Sequence, residues 1–420
     1  MKLITLDYYD AFACLADACK HSCCVDWEID IDEDSWDYYD TVDGPFGDRL
    51  RACRQTGEDR SFILRPDGRC PFLNDNGLCD LITELGEESL CEVCTEYPRF
   101  TVEYRDVREK SLSVSCEEAG RLLFEHQEPV RMVAQEFEEY LSYEEEDWGT
   151  DEEEEGYELS DDVPEEDEEP SEELCEFLQM ARQNVITLLQ DRRYIVADRL
   201  SAALIYARQV QDVLNNWQGE AAPKLGNDDI PMLLRHVSKV SEMKKAVSKT
   251  DGTQLKSLDE SPASLLQAFQ LRCDVYAAME LLDEEWEQVF ADTKALLGSM
   301  TDADYAKTIQ ALTTSSPNVG IWYEHFLVYV VFRYAIKSVY DTEFFDRIRL
   351  AAAFYLMLRD VDATFYLKTG HFTLSDRIDL ARVFSRQVEH SEENVESLME
   401  SFLFDAVWEL PYLIEQIQLS

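Results

Sequence analysis

Four thiols, Cys14, Cys19, Cys23 and Cys24, fall within eleven residues near the start of the chain. Six more follow, at Cys53, Cys70, Cys79, Cys91, Cys94 and Cys116, and beyond them lie only Cys175 and Cys273. Ten cysteines in the first 116 residues are too concentrated to be scattered buried hydrophobes. They restrict this segment to a disulfide framework, a zinc site or an iron–sulfur site. Residues 1–7 have neither the long apolar core nor the cleavage site of a secretory leader. A reducing cytoplasmic location is therefore expected, where clustered thiols hold metal more often than they pair with each other.

The spacing narrows the metal chemistry without choosing the metal. It runs Cys14-x4-Cys19-x3-Cys23-Cys24, then Cys70-x8-Cys79, Cys91-x2-Cys94 and Cys116. Zinc ribbons and fingers use two separated Cys-x2-Cys pairs, and Cys91–Cys94 is the single such pair here. The radical-enzyme pattern Cys-x3-Cys-x2-Cys, begun at Cys19 and Cys23, needs a third thiol at position 26, which is Asp26. A [4Fe-4S] cluster needs four convergent thiolates, and the region could supply two complete sets. Adjacent Cys23 and Cys24 point in different directions along an extended chain, so one can serve a cluster while the other packs or bridges. Pro66-Asp67-Gly68 leads into Cys70 and Asn74-Asp75-Asn76-Gly77 precedes Cys79, turns that let thiolates converge. A helix expected over 117–125 starts directly after Cys116 and offers it unpaired amides. His21, inside the first knot, is the one histidine with a claim as an alternative ligand.

The rest of the chain reads as helix. Residues 1–135 are expected to be an irregular Cys-rich metal-binding domain with short strands at 27–31, 100–104 and 111–115 and a helix over 34–50. From residue 136 to 173 there are 22 acidic residues and no Lys or Arg, the composition of a disordered linker or insertion. Over 174–420, apolar residues recur at three- and four-residue spacings, as in Leu174, Phe177, Leu178, Ala181, Val185, Ile186 and Leu189. Similar stripes cover 194–217, 231–247, 264–297, 302–314, 321–340, 344–364, 376–389 and 394–417. No Gly-x-Gly-x-x-Gly fingerprint occurs, so the expected fold is mainly α, an irregular metal-binding domain followed by an α-helical bundle. A net charge of −50 repels nucleic acid and anionic membranes. The most apolar stretches are broken by charges short of the ~20 residues a membrane helix needs.

Several of these residues together resemble the flagellin lysine N-methylase family. The matching blocks are Cys14-x4-Cys19-x3-Cys23-Cys24-x2-Trp27, Cys70-Pro71-Phe72-Leu73, Gly77-Leu78-Cys79, Cys94-x2-Tyr97-Pro98-Arg99 and the run 111–116 with Ala119. Two later blocks, 322–329 and 384–394, are similar to C-terminal segments of that family. The resemblance implies methylation of flagellin lysines from S-adenosylmethionine, with a [4Fe-4S] cluster, or zinc in its place, on Cys14, Cys19, Cys23, Cys24, Cys70, Cys79, Cys94 and Cys116. Cys53 and Cys91 depart from the family pattern, so Cys91 or Cys94 can take the place at the metal.

Methyl transfer to nitrogen needs a neutral lysine, whose free pKa is about 10.4. Tyr97, Tyr323 and Tyr329 are candidate aromatic walls that exclude water and hold a cation. Glu324, Glu389 and His390 are candidate proton acceptors, and Arg99 and Arg386 candidate partners for the donor's carboxylate. The blander reading has Tyr323 and Tyr329 as core residues and Arg386 and Glu389 as a pair on one helix face. The alternative function, from another class, is a non-catalytic zinc- or iron-binding Cys-cluster protein with a helical interaction domain. An electron-transfer protein is a third, but no motif for a partner cofactor supports it.

Overall fold

Two clusters of buried apolar side chains organise the computed structural model, which describes residues 1–25, 27, 29–55, 60–136, 169–217, 232–239 and 264–419. The first part of the chain runs β1 (Lys2–Leu6), α1 (Glu33–Thr41), α2 (Gly44–Ala52), β2 (Arg54–Gln55), β3 (Ser61–Phe62), α3 (Asp80–Leu85) and α4 (Glu92–Glu96). It continues with β4 (Arg99–Tyr104), β5 (Val107–Leu112), α5 (Glu117–Glu125) and β6 (Met132–Glu136). Most of the acidic stretch read as a linker, residues 137–168, lies outside the described residues.

Helices dominate the rest. They are α6 (Glu172–Leu189), α7 (Val196–Leu214), α8 (residues 232–239), α9 (Leu265–Tyr276), α10 (Glu284–Gly298), α11 (Asp302–Ser315) and α12 (Pro317–Tyr334). After them come α13 (Ser338–Asp341), α14 (Phe344–Thr369), α15 (Leu374–Val388), α16 (Glu392–Phe404) and α17 (Leu410–Ile417). The mainly α architecture is therefore as expected. No helix among the described residues is long and apolar enough to cross a membrane.

Local chemistry explains the boundaries. Ser171 caps α6 by accepting from Leu174 N–H, ahead of the apolar stripe that buries Phe177, Leu178, Ala181 and Val185. Buried from Leu350 to Thr364, α14 is the central helix, and it ends where Gly370 adopts a left-handed φ of 76°. Thr373 and Asp376 form a reciprocal capping box at the start of α15. The stripe expected over 264–297 divides into α9 and α10 because the Asp283 side chain accepts from Glu285 and Trp286 N–H and starts a new helix. The expected helix over 34–50 likewise breaks into α1 and α2, with Pro45 in the first turn of the second.

The strands differ more from expectation. The described residues of 27–31 belong to no strand; Asp30 makes a single bridge to Ser61, and Val25, just before them, one to Arg69. The hairpin is present, with Arg99 opposite Leu112 and Tyr104 opposite Val107, so residues 113–115 leave the ladder. It belongs to a four-stranded sheet of order β4-β5-β1-β6, with β1 parallel to β5 and antiparallel to β6.

This sheet and α5 share one core with the helices, through Ile4, Leu6, Val102, Leu112, Leu123 and Phe124. A buried ion pair reinforces the joint: Arg182 of α6 donates to both Glu109 oxygens of β5, at 2.5 and 2.7 Å. The smaller core belongs to the Cys-rich lobe and gathers Ile29, Tyr39, Leu50, Phe62, Phe72 and Leu81 around Cys70 and Cys91.

Candidate functional site

A cavity of about 610 Å³ opens where the Cys-rich lobe, the β4–β5 hairpin and α15 meet. Tyr97, Arg99, Arg386 and His390, four of the site residues read from sequence, all line it. Trp27 joins them, and the Trp27, Tyr97 and His390 rings form a triangle with centroids 5.6, 6.3 and 6.4 Å apart. The indole N–H of Trp27 is buried without a hydrogen-bond partner among the described residues. Tyr97 hydroxyl meets Ser115 Oγ at 3.2 Å, and Ser115 continues through Ser113 to Ser385 of α15. This hydroxyl chain fastens the hairpin to the helix that carries Arg386. Burial, then the neighbouring Cys116, pushes the Tyr97 phenol upward, so it stays protonated.

In a strongly acidic chain, the cavity is lined by four guanidiniums: Arg99, Arg333, Arg382 and Arg386. Arg386 Nε pairs with Asp283 at 3.2 Å and Nη2 donates to Val25 O at 3.3 Å, bridging α15 to the Cys-rich lobe. A guanidinium has five donors, so these two bonds leave capacity for an anion. Arg382 donates to Glu285 at 2.6 Å, and Arg99 stacks over Phe12 at 5.2 Å. Arg333 lies 4.1 Å from the Phe100 centroid. His390 opens onto the cavity; desolvation, then the Arg333 and Arg386 charges, lowers its pKa, so the ring is neutral at pH 7. Cationic arginines beside an aromatic triangle can hold a zwitterion, its carboxylate on the first and its cationic centre on the second.

Glu389 does not pair with Arg386. Its carboxylate accepts from Tyr329 at 3.0 and 3.1 Å and from Tyr334 at 3.2 Å, and pairs with Arg333 at 3.0 Å. With every contact occupied, Glu389 and Tyr329 position Arg333 at the cavity wall. Glu389 is no free base.

Tyr323 and Glu324 lie elsewhere. Tyr323 donates to Asp362 at 2.7 Å in a buried group with Arg377. Glu324, fully buried, pairs with Arg199 at 2.5 Å and Arg192 at 2.9 Å. Beside it, His325 Nδ1 meets Leu123 O at 3.0 Å, and burial lowers this imidazole to about 4. A histidine depressed from its usual 6.5 is neutral in the folded state while the unfolded chain takes up a proton. Its contribution is present above pH 6.5 and lost as pH falls through 4, on the order of 3 kcal/mol. Urea midpoints measured between pH 7 and pH 4 should fall, and His325→Asn should flatten that fall. An unchanged slope in the variant would rule this source out.

The missed contributors are Trp27, Arg333, Arg382 and Asp283. Two carried a visible signal: Arg382 precedes Arg386 by one helical turn, and Arg333 follows Tyr329 by one. Asp283 had none, because its role depends on packing against α15.

All twelve cysteines are free thiols. Cys79, Cys91 and Cys116 each stand at a helix N-cap. The amides at a helix start favour thiolate, the form that binds metal. Burial acts the other way and raises Cys116 to about 11 and Cys70 to about 12. Among the described residues, no three His, Cys, Asp or Glu side chains stand close enough to hold a metal ion as they lie. The donor chemistry fits a thiophilic group, which would have to draw the sulfurs together.

Residues 182–416, more than half of the chain, match the family described as FliB lysine N-methylase C-terminal domain. A lysine-N-methylase of Salmonella choleraesuis is 28% identical over 134 residues, 28% of this chain and 32% of that protein. A lysine-N-methylase of Salmonella typhimurium matches with the same identity and coverage. The flagellar biosynthetic protein FliU of Salmonella muenchen is 27% identical over 134 residues, 28% of this chain and 76% of FliU. The chain thus spans about a third of the length of the two lysine-N-methylases it matches. No solved structure matches it.

Proposed function

This chain belongs to the FliB lysine N-methylase family, and from that premise we propose that it methylates lysine side chains of flagellin from S-adenosylmethionine bound in the cavity. The observation that carries the reading is the convergence of Tyr97, Arg99, Arg386 and His390 on one cavity from distant parts of the chain. Arg386, with Arg99 beside it, takes the donor's carboxylate. Trp27, Tyr97 and His390 face its sulfonium, where ring faces attract a cation.

The incoming lysine must lose its proton before its Nζ lone pair can form the new C–N bond. The methyl–sulfur bond then breaks, and the sulfur keeps the electron pair. The arginine charges and the apolar walls both disfavour an ammonium, which lowers the lysine pKa in place. That proton leaves to solvent before the transfer, and neutral His390 accepts a hydrogen bond from the amine and orients it.

The metal belongs to the same reading. Cys14, Cys19, Cys23, Cys24, Cys70, Cys79, Cys94 or Cys91, and Cys116 would hold it. When bound, a [4Fe-4S] cluster or zinc supplies a cross-link among thiolates beside the cavity.

The test incubates the metal-replete protein, purified anaerobically, with flagellin and methyl-labelled donor. Label is expected on flagellin lysines, mapped by mass spectrometry. A non-catalytic metal-binding protein would keep its metal and leave both donor and flagellin untouched. Absence of donor binding in a titration would remove the enzymatic reading.

A further inference from the structure

The block 384–394 carries two buried amides that the cavity does not use, Gln387 and Asn394. Both clamp the loop that joins α9 to α10. Gln387 Oε1 accepts from Leu282 N at 3.0 Å and Asp283 N at 3.3 Å, and its Nε2 donates to Glu280 O at 2.5 Å. Asn394 Oδ1 accepts from Glu280 N at 2.8 Å, and Nδ2 donates to Glu280 O at 3.0 Å. Nδ2 also reaches Gln387 O at 2.9 Å, which ties the two clamps together. Asp283 closes the loop by capping α10 and pairing with Arg386.

What the clamp holds out is apolar. Leu281 is 51% exposed and Leu282 36%, and Leu282 lines the cavity beside the aromatic triangle. Single exposed leucines are ordinary on a protein surface. Here buried hydrogen bonds fix two consecutive ones at the rim of a cavity and deny the loop the freedom to fold them away from water. Exposed carboxylates flank the pair, Glu280 before it and Glu284 after it. An acidic partner is repelled from such a rim and a lysine-bearing one is attracted.

We propose that Leu281 and Leu282 are the docking rim for the protein substrate. They seat an apolar side chain that neighbours the target lysine, and Glu280 and Glu284 draw in the basic segment. Gln387 and Asn394 are positioning residues that hold this rim against the cavity. The inference rests on the reading that the lysine enters this cavity, and it adds what the enzyme recognises around that lysine.

The experiment uses the metal-replete full-length protein, with binding to immobilised flagellin measured without donor and label transfer measured with it. Leu281→Ser should weaken flagellin binding roughly 10-fold, the loss of one leucine's burial. It should raise KM for flagellin by the same factor at unchanged kcat, and Leu281→Met should restore both. Donor affinity and the unfolding midpoint should not move, since Leu281 is exposed and does not line the cavity. Gln387→Met should give the same rise in KM; if it does not fold, Leu281→Ser decides alone. Flagellin bound and methylated equally well by Leu281→Ser overturns the proposal. So does a lowered midpoint in that variant, the sign that the chain itself covers the leucine. A dimeric parent that the substitution dissociates also overturns it, because the rim is then an interface between copies. The two readings fail separately: binding lost in the variant with no transfer by the parent sinks only the methylase, and transfer indifferent to Leu281→Ser sinks only the rim.

Discussion

Glu324→Gln is expected to destabilise the protein by about 3–5 kcal/mol, the cost of removing one partner from a buried ion pair, and to leave donor affinity unchanged. Glu324 is fully buried and receives Arg199 Nη1 at 2.5 Å and three contacts from Arg192 at 2.9 to 3.1 Å. Arg199 is itself almost wholly buried, so the variant strands a cation where water cannot reach it. The same network fastens the start of α7 and the turn after α6 to α12, and Arg192 Nη1 reaches Gln127 O at 2.6 Å beyond α5. The loss should appear as a lower urea midpoint at unchanged slope, since the exposed surface on unfolding is the same. Full stability with abolished methyl transfer would instead return Glu324 to the chemistry.

Trp27→Ala and Arg386→Gln should weaken the donor in ways that can be told apart. Removing one wall of the aromatic triangle loses a desolvated cation–π contact of about 2 kcal/mol, roughly 30-fold in Kd. The demethylated by-product, S-adenosylhomocysteine, has a neutral sulfide and should lose far less affinity to Trp27→Ala. Arg386→Gln removes a charge-assisted bond of about 1.5–3 kcal/mol, roughly 10- to 100-fold in Kd. It should weaken donor and by-product alike, because both keep the carboxylate. Titration calorimetry on the two variants with both ligands gives the four numbers. Equal losses for donor and by-product in Trp27→Ala would place the sulfonium elsewhere. Arg386 also pairs with Asp283, the cap of α10, so unfolding midpoints must accompany these titrations.

Helix positions were legible because their signal is local. The helix expected over 117–125 is Glu117–Glu125, and the stripe beginning at Leu174 lies within α6. Breaks inside continuous apolar stripes were not legible, since Met279, Leu281 and Leu282 carry the pattern up to the point where the Asp283 cap interrupts it. The sheet was half legible. A hairpin is written in adjacent residues, whereas β1 finds β5 across about a hundred residues and β6 across about a hundred and thirty. No local pattern records such pairings.

The site divides along the same line. Spacing alone showed the thiols concentrated in the first 116 residues, and Tyr97, Arg99, Arg386 and His390 were nominated by residue type within the blocks that resemble the methylase family. Those choices rest on chemistry that a side chain carries wherever it lies: a guanidinium for a carboxylate, an aromatic ring for a cation, a thiolate for a soft metal. Only the tertiary structure decided partners. Tyr323, Glu324 and Tyr329 ride on one helix, α12, yet Tyr323 meets Asp362, Glu324 meets Arg192 and Arg199, and Tyr329 holds Glu389 near Arg333. A buried charge takes its role from the opposite charge that packing brings to it, and that charge lies tens to hundreds of residues away.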